Sequence, residues 1–526
     1  MPRHEVHDKL FISNELGSRA SRYQLQRKSS ILNSKMNAPM TLSVIAQFWP
    51  PGLRLMLAAT VLSAAVALPA GADPKSDTFQ PDAFRTRPAL KQRTQGFTDP
   101  LEHDCPMPPG ELSLAVAVDI ALCRNPTTRS AWASAHLQAA ALGTAESAWL
   151  PTINATDSES RQHGPHVDVA GNAISSIQNT NDAALTLSWT LYDFGGRGGR
   201  IRSARDLLDA AALTANSTIQ QTVFAVVQDF YGVVAGDAAL AAAKTTEDTY
   251  AQSVEIARAL QVGGVSALGD VLQVETAYDQ AVLAYETAAH TAEGSHGAFA
   301  VEIGVPADLP LKLVAEPVPA QVPALTARIA DLMTQAERQR PDLAAARSQV
   351  ESAIQDITVA RAAGRPSIAV AASRDRTLST GIPLQSYSQI GVTVTVPIFT
   401  GFSVGYGVRQ AQATLETREA TAEQVRLQVT LDVWNGYYAL DSANKLLAAS
   451  ATLLKTAQTN QEVALGRYKA GVGSIVDLLT AQAAEAAALQ SRISAEQSWE
   501  VARAQLVVAL GRLTGAEPIA TGVVIP

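Results

Sequence analysis

Several residue types that would mark a particular function are scarce in this chain. It contains only two cysteines in 526 residues, 17% charged and 5% aromatic residues, and a formal net charge of −8. An acidic balance argues against a protein whose affinity comes from neutralising nucleic-acid phosphates. The low charge and the 47% hydrophobic content argue against intrinsic disorder. The composition therefore predicts a folded protein that does not bind nucleic acid.

Signatures of an enzyme are also lacking, since we find no Ser/His/Asp cluster and no carboxylate pair on a short scaffold. The stretches His103-Asp104-Cys105 and His163-Gly164-Pro165-His166 carry residue types that bind metals, but both are predicted in loops and no further ligand stands at a plausible spacing. The glycine-rich residues 195–199 lack the Lys-Ser/Thr of a phosphate loop and fit a bend from strand to helix. We predict no enzymatic activity, no metal and no cofactor.

The N-terminal part is typical of an export signal. The apolar residues 55–68 are too few for a transmembrane helix, which needs about 20. Arg54 precedes this run and Ala72 ends a small-residue site, which predicts a secretory signal cleaved after Ala72. Because the run lies unusually deep, translation could start at Met36, Met40 or Met56. We assign residues 1–72 to an extension and signal peptide and residues 73–109 to a periplasmic arm.

The two cysteines, Cys105 and Cys123, lie at the start of the mature domain. In an exported chain they can form a disulfide that closes a loop of about 18 residues. The alternative is a pair of buried thiols that never meet. No cysteine follows the signal directly, so we expect no lipid anchor.

The sequence contains an internal two-fold repeat, and each copy contains one sharp interruption of a long helical pattern. Gly264, Val265 and Asp270 in residues 262–272 correspond to Gly471, Val472 and Asp477 in residues 467–479, at a spacing of 207. Each glycine can adopt the left-handed conformation that ends a helix. Ser474 and Asp477 form an S-x-x-D capping box for the following helix. The domain organisation predicted from the spacing is a first repeat at 110–313, a second at 314–515 and a tail at 516–526.

Both repeats switch from helical to strand periodicity and back. Alternating apolar residues at 185–191 and 390–398 predict strands with one apolar face, with partner strands at 153–161 and 368–374. We expect loops between the partners at 163–181 and 377–386. The helices that follow each sheet segment cover about 65 residues, or roughly 100 Å.

These elements predict an assembly of several copies. Four strands per chain do not close a barrel, and a sheet with open edges is unstable in lipid. Three copies would supply 12 strands, which can close. The fold class predicted is mainly α, with long helical hairpins below a trimeric, 12-stranded membrane β-barrel, forming a duct across the periplasm.

At this point the chain resembles the TolC family of outer-membrane efflux proteins. The resemblance rests on the two-fold repeat, the turns, and the strand exits at 191–196 and 397–402, and it covers about residues 110–515. It implies a homotrimer in the outer membrane, among outer-membrane lipids, that docks onto a periplasmic adaptor and an inner-membrane pump of the ABC or proton-driven type. The missing lipid anchor and the cysteine-bearing start favour the CyaE-like branch of type I protein secretion over a multidrug efflux pump. A soluble periplasmic scaffold is a third interpretation.

The resemblance also implies the functional residues. The family's periplasmic entrance has a Tyr, an Arg and two Asp that hold the tube shut; Tyr468 and Asp477 match, whereas Gly473 and Thr480 replace the other two. We expect an entrance constriction of Asp270, Tyr468 and Asp477, in which the acids either cap their helices or form a ring of six charges. We expect the adaptor to dock on Gly264, Val265, Ser266, Gly471, Val472, Gly473 and Ser474.

Overall fold

The computed structural model describes residues 105, 110–167, 173–315 and 327–512. The signal peptide and its cleavage site, nearly all of the arm, and the C-terminal tail lie outside these residues. The predicted disulfide lies within the described residues: Cys105 is bonded to Cys123, with their Cα atoms 5.9 Å apart.

Each repeat runs in the order helix, helix, strand, strand, helix, helix. The first repeat consists of α1 (Leu114–Arg124), α2 (Pro126–Ser147), β1 (Thr152–Val167), β2 (Ala173–Tyr192), α3 (Gly196–Val262) and α4 (Leu268–Glu302). The second consists of α5 (Ile329–Gln339), α6 (Pro341–Ala362), β3 (Ser367–Ser379), β4 (Ile382–Thr395), α7 (Ser403–Lys469) and α8 (Ile475–Ala509). Corresponding helices have equal lengths of 11, 22, 67 and 35 residues. The internal repeat is therefore a structural repeat, helix for helix.

Local signals in the sequence set the boundaries of the short helices. Ser113 accepts a hydrogen bond from the Val116 N–H and so caps α1. Asn125 ends α1 and caps α2, because its Oδ1 accepts from the Thr127 N–H at 2.7 Å while Pro126 occupies the first turn. The Asn125 amide also donates to the Glu302 carbonyl at 2.7 Å, which ties this bend to the end of α4.

Each repeat has a hydrophobic cluster at the level of its short helix, and the cluster of the first repeat also includes Ala504 and Val507 of α8. In the first, α1 packs against the middle of α3 and the end of α4, with Phe230 and Phe299 fully buried. In the second, α5 packs against α7 and α8 around Val433 and Trp499. These two clusters anchor the long helices, which otherwise bury mostly alanine and other small residues.

The four strands form one antiparallel sheet in the order β1-β2-β3-β4. Apolar residues line one face: Ile153 pairs with Leu187, Leu187 with Ala372, and Ala372 with Ile390. The opposite face is polar, as in the paired Thr152 and Ser188, whose hydroxyls lie 2.7 Å apart. Strands β1 and β4 each leave one edge unpaired within the described chain.

The prediction of loops at 163–181 and 377–386 was wrong, because both stretches belong mainly to strands. β1 and β2 contain 16 and 20 residues, and β3 and β4 contain 13 and 14. The extra residues of the first repeat lengthen a hairpin. Strand pairing depends on backbone groups, so it continues where the apolar alternation that revealed the strands has stopped. β4 also ends at Thr395, three residues before the predicted end.

Candidate functional site: the paired helical turns

The two sharp turns have the same backbone geometry. Gly264 follows α3 with a φ of 73°, its N–H donates to the Gln261 carbonyl, and the Val265 N–H donates to the Leu260 carbonyl, both at 2.9 Å. Gly471 follows α7 with a φ of 70°, its N–H donates to Tyr468 and the Val472 N–H to Arg467, both at 3.0 Å. This is the Schellman arrangement, which requires a left-handed residue after the helix.

The return helices begin differently in the two repeats. The Ser474 hydroxyl accepts from the Asp477 N–H at 3.1 Å, which is one half of the expected capping box. In the first repeat the cap position holds Ala267, and Asp270 Oδ2 accepts from the Ser266 hydroxyl at 2.7 Å and the Ala267 N–H at 3.2 Å. Asp270 is therefore fixed to its own turn.

Asp477 has more freedom than its counterpart. Its side chain is exposed, and within the described residues its carboxylate makes neither a hydrogen bond nor an ion pair. Thr480, which replaces an acid of the family pattern, donates its hydroxyl to the Val476 carbonyl at 2.7 Å. Of the two acids predicted for the entrance, Asp270 is bonded within its turn, whereas the Asp477 carboxylate makes no such bond within the described residues.

The two turns lie side by side, joined by a small hydrophobic cluster. Tyr468, 4% exposed, packs there with Val254, Val271 and Leu478, so residues from α3, α4, α7 and α8 meet. Its hydroxyl has no hydrogen-bond partner within the described residues. Tyr468 therefore packs between the hairpins, and its part in the entrance constriction stays a prediction.

Gly473 also occupies a tight position. A Cβ at this residue would lie 3.1 Å from the Cβ of Arg467 and from the backbone of Tyr468. A long side chain here, such as the Arg of the family pattern, requires the end of α7 to shift. With glycine in place of that arginine, the second turn can close more tightly.

Polar links between the helices differ between the two hairpins. Arg258 on α3 bonds Glu275 on α4 at 2.7 Å, but the corresponding residues of the second hairpin are Leu465 and Gln482. Gln482 instead reaches across to Ser253 of the first hairpin at 2.8 Å. Further along the second hairpin, burial and the nearby Glu462 carboxylate raise the pKa of Glu485. The second hairpin lacks the ion pair that joins the helices of the first.

Large apolar side chains project from the turns. Val262 is 90% exposed, Val472 71% and Val265 63%, and Leu268, Leu272 and Val476 are also more than half exposed. Of these, the sequence prediction included only Val265 and Val472. The others could have been found as apolar residues on the outer face of a helix end, where no neighbour of the same chain covers them.

The architecture and these turns match a known family over most of the chain. The family described as outer membrane efflux protein matches residues 117–293 and 332–512, one segment in each repeat. The chain belongs to this family. It is accordingly an outer-membrane channel protein that extends into the periplasm, and the interpretation as a soluble scaffold is excluded.

Individual relatives agree with this assignment. The chain is 28% identical to protein CyaE of Bordetella pertussis over 440 residues, which cover 82% of this chain and 91% of CyaE. It is 27% identical to the probable efflux pump outer membrane protein TtgC of Pseudomonas putida over 374 residues, covering 69% and 75% of the two chains.

Solved structures share the fold. The outer-membrane channel OprN superposes with a TM-score of 0.67 at 20% identity, covering 76% of this chain and 89% of OprN. VceC of Vibrio cholerae superposes with a TM-score of 0.65 at 16% identity, covering 76% and 96%. At these identities the likeness concerns the fold alone.

The left-handed glycines give a direct test of the site. Gly264→Val and Gly471→Val place a β-branched residue at positive φ, which costs on the order of 1–2 kcal/mol and distorts the turn. We expect export to fall sharply while the protein still inserts in the outer membrane, measured by substrate export and by membrane fractionation. Gly263→Ala is the matched control, because Gly263 has a φ of −73° and room for a methyl group. Normal export by both valine variants would contradict a function of the turns.

Proposed function

We propose that three copies of this chain form the exit duct of a tripartite export system dedicated to type I protein secretion. In this system an inner-membrane ABC pump and a periplasmic adaptor deliver the substrate to the duct. The observation that supports the substrate class is the alignment with CyaE, which spans 91% of that protein. The disulfide-closed start of the domain accords with the same branch.

The unpaired edges of the sheet support the trimer. Backbone N–H and C=O groups exposed to hydrocarbon cost several kcal/mol each, so β1 and β4 need partners in the membrane. Pairing β4 of one copy with β1 of the next satisfies both edges. Three sheets joined in this way give 12 strands, with the apolar face toward lipid and the polar face toward the lumen.

The order of the helices supports the same contact below the membrane. Near the sheet the helices pack in the order α2-α3-α6-α7, and near the turns in the order α4-α3-α8-α7. Helix α7 therefore forms one edge of the chain over its whole length. It carries an exposed apolar stripe at helical spacing, Leu427, Leu431, Trp434 and Tyr438. The opposite edge offers exposed Leu137 on α2 and Leu283 on α4.

The turns are the part of the duct that we assign to the adaptor. They lie at the end of the hairpins that is farthest from the sheet, and therefore face the inner membrane. Their small residues and exposed valines allow close approach by an apolar helix end. Gly264, Val265, Ser266, Gly471, Val472, Gly473 and Ser474 form this docking surface. Multidrug efflux is the second candidate, favoured by the likeness to TtgC.

Trimer formation can be tested by substitutions on α7. Unboiled protein in detergent should migrate at about three times the monomer mass of 55.3 kDa, less any cleaved signal. Leu431→Asp with Trp434→Asp places charges in an apolar contact, and a loss of about 1.4 kcal/mol weakens association about tenfold. Val476→Asp is the control, since this exposed residue lies on α8, which has neighbours of its own chain on both sides. A stable wild-type monomer in the membrane would contradict the proposal.

Deleting the gene distinguishes the two export classes. We expect the culture supernatant to lose one or a few secreted proteins, identified by mass spectrometry, because a type I duct serves a dedicated pump. Growth inhibition by antibiotics and solvents should change by less than about twofold. Complementation with the intact gene restores the secreted proteins. Broad drug sensitivity with an unchanged set of secreted proteins would instead assign the duct to multidrug efflux.

Single substitutions distinguish the contributions of the two entrance acids to ion selectivity. We propose that a trimer places six carboxylates, Asp270 and Asp477 of each copy, around the mouth, where they attract cations. Because Asp270 is bonded within its own turn, Asp477→Asn should reduce cation preference and block by multivalent cations more than Asp270→Asn does. Single-channel recordings in planar bilayers, with the cation added on the periplasmic side, measure both effects. Unchanged selectivity in the double variant would show that the two acids only cap helices.

A further inference from the structure

An aromatic residue stands at each edge of the sheet, where the chain passes between strand and helix. Trp149 precedes β1 and is half exposed, and Phe402 follows β4 and is 72% exposed. Because β1 and β3 begin 215 residues apart, Trp149 corresponds to Gly364. Because α3 and α7 begin 207 residues apart, Phe402 corresponds to Gly195. The inner strands therefore have glycine where the two edge strands have a large ring.

Trp149 is held in place at the β1 edge. The Arg197 guanidinium carbon lies 4.3 Å from the centroid of the indole ring and covers one of its faces. Arg197 is itself buried, and it donates to the Ala148 carbonyl at 3.2 Å and to the Leu191 carbonyl at 2.9 Å. The Trp149 carbonyl accepts a hydrogen bond from Trp189 Nε1 at 2.9 Å. The indole ring is thus fixed with its other face uncovered.

Phe402 is fixed in an unusual backbone conformation at the β4 edge. Its φ is 66°, in the left-handed region that residues with a side chain rarely adopt. Its ring meets that of Phe399 edge to face, with the centroids 5.5 Å apart. Gly195, its counterpart at the inner junction, makes the same bend with a φ of 97°. Since glycine serves the bend without strain, the phenyl ring points to a further role at this position.

The junction between the inner strands shows how two such ends pack together. Tyr192 of β2 lies opposite Ile368 of β3, where the strands meet the helices. A Cβ at Gly196, the first residue of α3, would lie 3.3 Å from the Cβ of Ala362 at the end of α6. The exit of one strand and the entry of the next are therefore in direct contact.

The two repeat spacings transfer this junction to the contact between copies. There β4 and α7 take the places of β2 and α3, and β1 and α2 of the next copy take the places of β3 and α6. At spacings of 207 and 215 residues, Phe399 lies opposite Ile153 of the next copy, and Ser403 lies beside Ser147 of the next copy. Trp149 comes two residues after Ser147, so its uncovered face lies at the level of Phe399.

We propose that Trp149 of one copy packs against Phe399 and Phe402 of the next, in an aromatic contact that joins the copies where the sheet meets the helices. This contact rests on the proposed trimer and adds to it the register of β4 against β1. A second copy of this chain is the occupant, because both halves of the contact continue directly from the strand edges that pair. Exposed aromatic rings are also the side chains that interfaces between proteins favour.

Cysteine cross-linking in membranes tests the register. Phe399→Cys with Ile153→Cys places two thiols opposite each other on adjacent strands, where Cα atoms about 4.5–5.5 Å apart suit a disulfide. Oxidation should convert most of this variant into covalent dimers and trimers on a denaturing gel without reducing agent. The matched control is Phe399→Cys with Asp157→Cys, which lies four residues further along β1, roughly 13 Å away, and should stay monomeric. The natural Cys105 and Cys123 are bonded to each other and do not compete.

Equal cross-linking by both variants, or by neither, would overturn the contact. Migration of the same unboiled samples tests assembly separately. Trimers without the expected cross-link would contradict the register and leave the proposed trimer intact, whereas a wild-type monomer in the membrane would contradict the trimer itself.

Replacing Phe402 by glycine separates the contact from the backbone. Phe402→Gly relieves the left-handed strain, so without a contact the unboiled trimer should resist heating as well as or better than the wild type. We expect instead that association weakens about tenfold and that the trimer dissociates at a lower temperature. Phe194→Gly is the control, because Phe194 has a φ of 51° at the inner junction and should affect dissociation less. Trp149→Ala combined with Phe402→Gly should have less than the summed effect, and additive effects would show that the two rings do not meet.

A membrane lipid as the occupant gives a different result. In vesicles of brominated phosphatidylcholine, the fluorescence of Trp149 is obtained as the difference between the wild type and Trp149→Phe. We expect this fluorescence to resist quenching, because the ring is covered by protein. Quenching of Trp149 as strong as that of a tryptophan dissolved in the same vesicles would assign the ring to lipid and overturn the contact.

Discussion

The unpaired backbone groups along β1 and β4 are the constraint on which the rest of the architecture depends. Hydrocarbon offers no hydrogen-bond partners, so a four-stranded sheet in the outer membrane needs other sheets beside it. In the trimer that we propose, each chain contributes a sector of a ring. In the same proposal α7, which forms one edge of the helical region, faces the opposite edge of a neighbouring copy. That contact covers the exposed apolar stripe of α7.

The two-fold repeat gives the sector its shape, but the repeats are not equivalent in detail. Both turns use the same left-handed glycine, and both hairpins have helices of 67 and 35 residues. In the first hairpin Arg258 and Glu275 form an ion pair between the helices, and Asp270 is bonded to its own turn. The matching positions of the pair in the second hairpin are Leu465 and Gln482. The second hairpin has Gly473 in a tight turn and a free Asp477. The two hairpins therefore share a backbone but differ in chemistry near their turns.

The sheet combines two surfaces with different demands. Its polar face carries hydroxyl groups, such as those of Thr152 and Ser188, and its apolar face carries the row of Ile153, Leu187, Ala372 and Ile390.

The sequence by itself determined the repeat, the helix boundaries and both turns, because these depend on local signals. Gly471, Ser474 and Pro126 act within a few residues of themselves, through backbone conformation and capping. Only the tertiary structure decided that residues 163–167 and 173–181 are strand, that Tyr468 is buried between hairpins, and that Arg374 pairs with Ser388. Those facts depend on register and packing between segments distant in the chain. A one-residue shift in strand register would move every side chain to the other face, and the polar ends of these strands lack the apolar alternation that sets the register.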